Sequence, residues 1–561
     1  MRTRANAAAL SAFAGTLFIA SVALAGGKGG IDLQPKAGAP LGGLSALELQ
    51  RFEAGRLSYQ TPFGFATGLG PVMNKSNCAS CHSNPLGGWG SISVTRFGME
   101  EKGEFIPLEE LGGSLLQTLA ISDPCREQIP EEATIVRTRL TNASMAYGMV
   151  EAIPDAAIAA NEDPNDADGD GVSGRVHWVL PLESSPSSPL RAGRFGWKAQ
   201  VATVLSFSGD ATRNELGITN ALIPTETAPN GDMSLLASCD TIPDPEDQVG
   251  ADGLTFVERV TFFQRYLGVP PQTPRSGMTG ESIFLSIGCA KCHVPEWTTS
   301  NSPSLESPLR NKTIRPYSDF LVHDMGLLGD GIQEGDAEES EFRTPTLWNL
   351  RTRDPMLHNG AASGGTFADR VTTAILAHGP LGEGAGSAAA FSALSAGQKS
   401  QLIAFLDSLG RVEFDFDDDV NVTVFDLPFL ADCRGSAVTA DDPCAIGDFD
   451  QDGTIGATDL AAFLAAASRD GTDVTGDCDG DGTVDLEEIF YGASDKDFDG
   501  IPDDCAGSPC PADLDGNGTV NAADLASMLN GWGTPAYDLT GDGTTNAADL
   551  AQLLNGWGAC P

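Results

Sequence analysis

Two short stretches of the chain carry the same pattern of two cysteines followed by a histidine, Cys78-Ala-Ser-Cys81-His82 and Cys289-Ala-Lys-Cys292-His293. Cys-x-x-Cys-His is the attachment pattern of c-type haem. Thiols at this spacing can add to the two vinyl groups of one porphyrin, and the following histidine then binds the iron as its proximal ligand. The sequence therefore predicts two covalently bound c-type haems.

Other chemistries explain these motifs less well. A thioredoxin-like redox pair needs a strand-to-helix setting and no following histidine. A zinc site can use Cys and His, but the two motifs lie far apart in the sequence and neither has a second pair nearby. A chance match is easier for one copy than for two, so haem attachment is the favoured interpretation.

The elements around the second motif are typical of a cytochrome c domain. Apolar residues at helical spacing between Gly280 and Cys289 lead directly into the motif: Ile283, Phe284 and Ile287. Ser395 and Gln398 form a capping-box pattern. It predicts a helix that ends near Gly410, with Leu402, Phe405, Leu406 and Leu409 on one face. Residues 273–412 are therefore predicted to be a C-terminal haem domain, and residues 26–272 an N-terminal one.

Charge and composition exclude some classes of partner. The chain has 561 residues, 41% of them hydrophobic, with 77 acidic and 33 basic residues and a net charge of -44. This balance permits a sizeable core but disfavours binding to nucleic acid. From Phe414 to Pro561 there are 31 acidic and 3 basic residues, and the acidic ones are almost all aspartate. Short carboxylates of this kind are typical of calcium loops.

The first residues resemble a secretory signal. Arg2 and Arg4 precede an apolar stretch, and Ala23-Leu24-Ala25 is a small-residue cleavage site, so residues 1–25 are predicted to be a signal peptide. A membrane anchor is the alternative, but the stretch is rich in alanine and interrupted by polar residues. No later stretch approaches the roughly 18 apolar residues that a spanning helix needs. We expect an exported protein, periplasmic, cell-surface or extracellular, with no membrane span after signal removal.

Cysteines outside the two motifs number eight of the chain's 12. An even remainder in an exported protein suggests disulfides. Cys125 and Cys239 are a plausible pair because no other cysteine lies near them in the sequence. The connectivity of the other six, all in the acidic C-terminal region, stays open.

Repeated aspartate loops dominate that C-terminal region. Oxygen donors fall at loop positions 1, 3, 5, 9 and 12, usually with Gly at position 6, in the spacing that wraps calcium. Residues 415–426 are a degenerate copy with Val420 in place of that glycine, and the candidate ligands in the other loops are Asp448, Asp450, Asp452, Asp459, Asp477, Asp479, Asp481, Glu488, Asp513, Asp515, Asn517, Asn521, Asp524, Asp538, Asp542, Asn546 and Asp549. We predict that calcium orders this region.

A further calcium candidate lies upstream, where Asp166, Asp168 and Asp170 alternate ahead of Gly171. A surface turn rich in aspartate and glycine is the alternative there.

The haem region resembles a known family. Phe342-Arg-Thr-Pro-Thr-Leu-Trp348, Leu357-His-Asn-Gly360, Gly193-Arg-Phe-Gly-Trp-Lys-Ala199 and Leu216-Gly-Ile-Thr219 are similar to segments of bacterial dihaem cytochrome c peroxidases. With Asp168-Gly-Asp-Gly-Val-Ser-Gly-Arg175 they resemble the dihaem oxidoreductase branch described as predicted thiol oxidoreductases. The chain departs from the pattern at Asn359, where the family usually has Asp.

The resemblance implies roles for single residues. Trp197 matches the inter-haem tryptophan, Glu215 matches the acidic residue of the peroxide pocket, and His358 lies near haem between the two centres in the relatives. Each role has an alternative: Trp197 is an ordinary packing residue, Glu215 is an exposed glutamate, and His358 has no ligand role. Glu151 is a weaker alternative to Glu215.

The resemblance also bears on the second ligand of the second iron. His378 falls where the relatives place the distal ligand, although three residues appear inserted just before it. Met325 is the rival, because methionine is also a common ligand of c-type haem.

At the C-terminal end, residues 513–561 resemble a dockerin type I module, with one helix after each loop and the unit duplicated. Residues 413–470 look like a degenerate pair of the same repeats, and residues 471–512 resemble EF-hand and thrombospondin-type calcium repeats. The predicted fold is mainly α: two cytochrome c-type haem domains followed by small helical calcium modules. The resemblance implies a cohesin-like or cell-surface partner for the tail, with a calcium-ordered spacer as the alternative.

The resulting hypothesis is an exported dihaem oxidoreductase, peroxidase-like, that takes electrons from a small cytochrome or cupredoxin-like donor protein. Peroxide is either the target or a co-substrate. Two alternatives are an electron carrier without turnover of its own and a surface-attachment protein.

Overall fold

The computed structural model describes residues 31–379, 381–496, 498–503, 511–515, 519–540 and 543–559. The predicted signal peptide and the candidate ligands Asn517 and Asp542 lie outside these residues. The α-helices of the described part are α1 (Ala46–Gln60), α2 (Tyr147–Glu151), α3 (Asp155–Ala159), α4 (Val204–Leu216), α5 (Met233–Cys239), α6 (Phe256–Tyr266), α7 (Thr279–Ser286), α8 (Phe367–Ala377), α9 (Ala385–Ala393), α10 (Ala396–Ser408), α11 (Leu427–Asp432), α12 (Ala457–Arg469), α13 (Asp485–Tyr491), α14 (Ala522–Asn530) and α15 (Ala547–Asn555).

The β-strands are mostly short. They are β1 (Val72–Met73), β2 (Ser93–Glu101), β3 (Glu104–Ile106), β4 (Ser114–Leu116), β5 (Leu119–Ala120), β6 (Ile135–Leu140), β7 (Trp178–Val179), β8 (Arg191–Ala192), β9 (Trp297–Thr298), β10 (Thr313–Ile314), β11 (Val322–Asp324), β12 (Glu341–Arg343), β13 (Thr519–Val520) and β14 (Gly558–Ala559). Strands β2, β3, β4 and β6 form an antiparallel four-stranded sheet in the N-terminal half, which the helical patterns in the sequence did not predict. The other pairs are two-stranded ribbons: β1–β5, β7–β8, β9–β10, β11–β12 and β13–β14.

Helices α1 and α6 pack together beside the first Cys-x-x-Cys-His motif. Phe52 and Tyr59 of α1 contact the ring of Phe263 on α6, with ring centroids 5.2 Å and 4.8 Å apart. The buried cluster that these residues form also contacts Cys78. A capping box formed by Thr255 fixes the start of α6. The first motif therefore sits against a rigid aromatic layer.

Helices α7 and α10 position the second motif as the sequence predicted. The capping box of Ser395 and Gln398 starts α10, and the side chains of Leu402, Phe405 and Leu406 are buried. Helix α7 crosses α10 closely at Gly280, where an added Cβ atom would lie 2.0 Å from the carbonyl oxygen of Gln401. Helix α7 ends at Ser286, just before the motif.

The first aspartate-loop repeats share one hydrophobic core and pack on the region of the second motif. This core extends from Val412 to Phe490, so the predicted boundary at residue 470 falls inside it. Several polar contacts join it to residues near the second motif: Arg275 Nε donates to Glu413 at 3.0 Å, Arg351 Nη2 to Asp418 at 2.7 Å and the Thr279 N–H to Asp441 at 2.9 Å. The aspartate-loop repeats in this part of the chain therefore form one body with the region of the second motif.

The predicted pairing of Cys125 with Cys239 is confirmed, and it ties α5 to the segment after β5. A second disulfide joins Cys433 to Cys444. Among the described residues, no helix combines the length and the apolar character needed to cross a bilayer.

Candidate functional site

The second Cys-x-x-Cys-His motif opens into a largely apolar cavity. Cys289, Cys292 and His293 line it together with His378 and Met325, so both candidate distal ligands lie in the same cavity as the motif. Its apolar wall comes from four elements, through Phe284, Leu347, Leu350, Val371, Leu402 and Leu406. The cavity is therefore built around the motif and is lined by the interior faces of α7, α8 and α10.

Hydrogen bonds orient the two imidazoles in this cavity. His293 Nδ1 lies 2.8 Å from the carbonyl oxygen of Tyr317, and His378 Nδ1 lies 2.7 Å from that of Ala374. A carbonyl acceptor makes Nδ1 the protonated nitrogen and leaves Nε2 with a lone pair for a metal. Both rings are thus prepared as Nε2 ligands.

The two imidazoles also influence each other. Burial, with a smaller contribution from the nearby His378, lowers the pKa of His293 to about 4. Burial lowers the pKa of His378 as well. Both rings are therefore neutral at pH 7, which is the form that binds iron. Met325 lies in the same cavity, packed against the cluster of Trp89, Trp197 and Phe342.

Two other histidines use both ring nitrogens elsewhere. His177 contacts the Lys198 carbonyl oxygen through Nδ1 and accepts the Asp336 N–H at Nε2. His323 lies between Asp319 and Glu383, at 2.9 Å and 2.7 Å. Burial alone would lower the pKa of His323, but Asp319 and the thiol of Cys292 raise it well above its usual value. Neither ring offers a nitrogen to a metal.

Trp197 and His358 both lie at the cavity wall. The indole Nε1 of Trp197 donates to the carbonyl oxygen of Leu140 at 2.7 Å, which fixes the ring. The rings of Trp197 and His358 are in edge contact, with centroids 6.0 Å apart, and Phe342 stacks on His358 at 4.0 Å. Burial lowers the pKa of His358 to about 4, so this ring is also neutral. The geometry brings both predicted residues to the cavity but gives no hydrogen bond between them.

Arg353 at this wall and Trp89 behind it were missed by the sequence analysis. The guanidinium of Arg353 lies 3.5 Å from the ring centroid of Trp89 and 5.7 Å from that of Trp197. Trp89 follows His82 in the loop after the first motif, and the Gly87 N–H in that loop donates to the His82 carbonyl oxygen. A continuous contact of two indoles and one guanidinium therefore links the first motif to the cavity of the second.

Arg353 is buried without a counter-charge of its own. Its Nε and Nη2 atoms are buried and have no hydrogen-bond partner, whereas the neighbouring Arg343 donates to the carbonyl oxygens of Gly196 and Thr344. Burial lowers the pKa of Arg353 to about 9, and the charge of Arg343 adds to this effect. An unpaired buried guanidinium is costly, so an anionic group in this cavity would stabilise it.

The first motif lies in a more polar environment. Burial lowers the pKa of His82 to about 4, and its Nδ1 atom is buried without a hydrogen bond. The ring of Tyr59 meets His82 edge-on at 5.9 Å. Glu215, at the C-terminal end of α4, interacts electrostatically with both Cys78 and Cys81. The structure therefore brings Glu215 to the first motif.

The Glu215 carboxyl is held in one orientation. The Asn74 amide donates to Glu215 Oε2 at 2.9 Å, and Asn74 Oδ1 accepts the Thr118 N–H at 3.0 Å. Burial raises the pKa of Glu215, and the favourable charge of Arg96 only partly offsets this. Glu151, the weaker alternative, is the last residue of α2; it is paired with Arg265 and accepts the N–H of Val204 at the start of α4.

These residues fit haem at the second motif. A porphyrin needs a flat apolar cavity, nitrogen ligands for iron and partners for its two carboxylates. The cavity supplies apolar walls, the Nε2 atoms of His293 and His378, and the unpaired N–H groups of Arg353. At the first motif, the cysteine pair and His82 are present with the acidic and amide side chains of Glu215 and Asn74 beside them.

The aspartate loops share one hydrogen-bond geometry. The position-12 aspartate of four loops accepts N–H groups from position 2 or 3 and from position 9: Asp426, Asp459, Asp524 and Asp549. Aspartates at positions 3 and 5 accept the N–H two residues further on: Asp450, Asp452, Asp479 and Asp481. Asn521 and Asn546 cap the N-terminal ends of α14 and α15.

The position-1 aspartates follow the same geometry. Asp448 and Asp477 each accept the N–H of the position-6 glycine at 3.1 Å, and Asp538 accepts the corresponding N–H of Gly543. In the loop that starts at Asp477, Glu488 groups with Asp485 and Cys478. The remaining candidates, Asp513 and Asp515, precede β13 in the last repeat pair.

The upstream candidate loop, which begins at Asp166, has the same turn as the loops of the C-terminal region. Asp166 Oδ1 accepts the Gly171 N–H at 3.0 Å, as the first aspartates of the tail loops do. The carboxylates of Asp166 and Asp168 converge with that of Asp163, which the sequence analysis did not include. Asp170 instead lies 3.1 Å from Lys291, which belongs to the second Cys-x-x-Cys-His motif.

A family model described as "Di-haem oxidoreductase, putative peroxidase" matches residues 121–409, and one described as "Dockerin type I domain" matches residues 511–556. Among solved structures, hydrazine synthase from Kuenenia stuttgartiensis, pressurised with xenon, is 13% identical with a TM-score of 0.27, covering 68% of this chain and 97% of that chain. A MauG-like protein associated with microbial copper homeostasis is 14% identical with a TM-score of 0.29, covering 67% of this chain and 93% of that one. No curated protein matches the chain.

Proposed function

The chain belongs to the di-haem oxidoreductase family and ends in a dockerin type I domain, and from that premise we propose that it is an exported enzyme that reduces hydrogen peroxide with electrons from a donor protein. The observation that carries this proposal is the difference between the two motifs. His293 shares its cavity with a second imidazole, His378, whereas His82 lies near the carboxyl group of Glu215. This difference suits electron entry at the second motif and peroxide reduction at the first.

The protein residues have distinct tasks in this proposal. Bound haem supplies the redox chemistry and the site at which peroxide reacts. The two cysteine pairs attach the porphyrins covalently, and His82 and His293 hold the irons through Nε2. His378 is the proposed second ligand at the C-terminal site, with Met325 as its rival. Arg353 neutralises a porphyrin carboxylate through its unpaired N–H groups.

Glu215 handles the protons. Reducing one hydrogen peroxide to two water molecules consumes two electrons and two protons, and heterolysis of the O–O bond needs a proton moved from the near to the far oxygen. A carboxyl group can take up and release that proton as general base and acid. The raised pKa of Glu215 brings its protonated form closer to neutral pH, and Asn74 holds the group in place.

Trp197 provides the path between the two sites. Its ring lines the second cavity and lies near Arg353, which in turn covers Trp89 beside the first motif. We propose that electrons pass along these indoles. His358 packs edge-on against Trp197 and holds its orientation without binding iron.

The dockerin domain attaches the enzyme to a cohesin-like partner or a cell surface. Each repeat exposes a leucine and a tryptophan at equivalent positions: Leu529 and Trp532 in the first, Leu554 and Trp557 in the second, each between 44% and 52% exposed. Exposed aromatic and aliphatic side chains of this kind are typical interface anchors. Calcium bound to the loops before α14 and α15 orders these helices, so we expect attachment to depend on calcium.

Turnover of the full-length, haem-loaded protein tests the proposal. Peroxide-dependent oxidation of a reduced small cytochrome is expected for the unaltered chain. The Glu215→Gln variant is expected to lose about 10²- to 10⁴-fold in rate, the usual contribution of general acid–base catalysis. The exposed Glu132→Gln variant serves as the matched control and should keep full activity. No peroxide-dependent oxidation by the unaltered protein would contradict the proposal and favour an electron carrier.

A further inference from the structure

Three carboxylates that belong to none of the predicted calcium loops converge near the C-terminal end of α4. Glu226 lies in the segment after α4, and Asp244 and Glu246 lie between α5 and α6. One oxygen of each group lies within 4.8 Å of the others. The sequence separation of these segments explains why no motif reveals the cluster.

The Glu226 side chain reaches this cluster with an unsatisfied oxygen. Glu226 is only 7% exposed, and its Oε1 atom is buried without any hydrogen-bond partner. Its other oxygen accepts the N–H of Thr227 at 3.0 Å. The hydroxyl oxygen of Thr227 is also buried and unpartnered. A buried carboxylate oxygen without a partner is costly in free energy, so its natural complement is a cation.

No basic side chain fills that role in the described part of the chain. None of the three carboxylates forms an ion pair there, and Asp240 adds a further acidic group nearby. Arg213 interacts electrostatically with Glu226, but its guanidinium donates to the carbonyl oxygens of Thr225 and Glu226 and to the Asn214 side chain, not to a carboxylate of the cluster. The cluster therefore has no direct ion-pair partner among the described residues.

The other two carboxylates are fixed by one buried threonine. The Thr219 hydroxyl contacts Asp244 Oδ1 at 2.8 Å and also Glu246 Oε2, which accepts the Thr219 N–H at 2.8 Å. Burial, followed by the charges of Glu246 and Asp244, raises the pKa of Glu226 to about 8. Burial also raises the pKa of Glu246. Carboxyl groups prepared in this way exchange protons for a bound cation.

We propose that Glu226, Asp244 and Glu246 form a binding site for a hard divalent cation, with calcium as the fitting ion. All donors are oxygen, which excludes soft metals. Calcium accepts six to eight oxygen ligands in a flexible arrangement, whereas magnesium demands near-ideal octahedral geometry, so carboxylates from separate segments suit calcium better. Carbonyl oxygens and water complete the coordination.

The site connects to the first haem motif. Glu215 lies in the last turn of α4, and Thr219 follows shortly after the end of that helix. The carbonyl oxygen of Glu215 accepts the N–H of Asn74. A cation that joins the 219–227 and 244–246 segments therefore braces the end of α4 that carries Glu215. This consequence rests on the proposed function, whereas the binding site itself does not.

Calcium content and stability of the full-length, haem-loaded protein test this site. Calcium bound at saturation is measured by atomic emission after gel filtration, for the unaltered chain and for Glu226→Gln and Glu246→Gln. Each variant is expected to bind one calcium ion fewer. The exposed Glu131→Gln variant is the matched control, and an Asp524→Asn/Asp549→Asn variant identifies the calcium lost from the tail instead.

Thermal unfolding separates cation binding from a structural role. In excess calcium, Glu226→Gln is expected to lower the midpoint of the haem region, because the variant loses a ligand. In excess chelator the same change is expected to have little effect on the midpoint, because no bound cation is left to lose. An unchanged calcium stoichiometry, or a shift of the same sign in both conditions, would overturn the proposal. Neither result depends on peroxidase activity, so failure of the proposed function stays distinguishable.

Discussion

The guanidinium of Arg353 lies 3.5 Å from the ring centroid of Trp89, face-on and away from solvent. Arg353 belongs to the segment before the Leu357-His-Asn-Gly360 turn, and Trp89 belongs to the loop after the first Cys-x-x-Cys-His motif. The same guanidinium lies 5.7 Å from Trp197 at the second cavity. The two proposed haem sites are therefore joined by direct aromatic and cation–π contacts.

Replacing Trp197 is expected to slow electron transfer between the haems. In a Trp197→Leu variant the path from Trp89 through Arg353 loses its aromatic partner, while both attachment motifs stay intact. Rapid mixing of reduced donor with the enzyme, followed at the two haem absorption bands, measures the rate. Trp178→Leu is the matched control, since Trp178 is 38% exposed. Equal rates in both variants would contradict the proposed path.

Exchange of the second ligand is expected to change the reduction potential of the C-terminal haem. Methionine ligation raises the potential of a c-type haem relative to histidine, so His378→Met should shift it upward. Met325→Leu should leave it unchanged, because His378 is the proposed ligand. Spectroelectrochemical titration of each variant gives the potential. A large shift with Met325→Leu and none with His378→Met would assign the ligand to Met325.

The sequence predicted those parts of the site that are local in the chain. The attachment motifs, the capping box of Ser395 and the turn of each aspartate loop depend on residues within about a dozen positions, so spacing alone reveals them. The pairing of Cys125 with Cys239 followed from elimination.

Long-range contacts could not be predicted in this way. Trp89 and Arg353 meet across the interior, and nothing in their spacing indicates that contact. The same holds for Glu226 and Glu246, whose acidic side chains resemble ordinary surface residues in the sequence. The four-stranded sheet was also missed, because helical periodicity near the haem motifs dominated the interpretation of the N-terminal half.

Stability is expected to depend on pH through Glu334. Burial alone would raise the pKa of Glu334, but Arg139 and Arg96 outweigh it and hold the pKa at about 2. A depressed carboxyl pKa stabilises the fold above the ordinary value of about 4.3, and this contribution is lost as the pH falls towards 2. Glu334→Gln should therefore cost about 3 kcal/mol of unfolding free energy at pH 7.

Denaturant unfolding of the unaltered chain and of Glu334→Gln between pH 7 and pH 3 measures this linkage. The difference between the two proteins is expected to shrink steadily below about pH 5. Glu132→Gln, an exposed substitution, should show no such trend. A difference that stays constant with pH would show that the carboxylate charge does not stabilise the fold.

The degenerate aspartate loop, residues 415–426, is expected to become more stable when Val420 is replaced by glycine. Val420 has a φ of 75° at the position where the loop beginning at Asp448 has Gly453, with a φ of 83°. A β-branched residue is strained in this region, at a cost of about 1–3 kcal/mol. Val420 is 51% exposed, so Val420→Gly loses little packing. Denaturant unfolding should show a gain of about 1 kcal/mol for Val420→Gly and a loss for Gly453→Val. A loss for Val420→Gly would contradict the strain.

The most direct test of a di-haem peroxidase with two unlike sites is the electron paramagnetic resonance and optical spectrum of the calcium-loaded protein, fully oxidised and half-reduced. We expect one low-spin haem with two axial ligands at the C-terminal site, and a haem at the N-terminal site that becomes five-coordinate on half-reduction and reacts with peroxide. Two low-spin haems that ignore peroxide in both states would contradict the account.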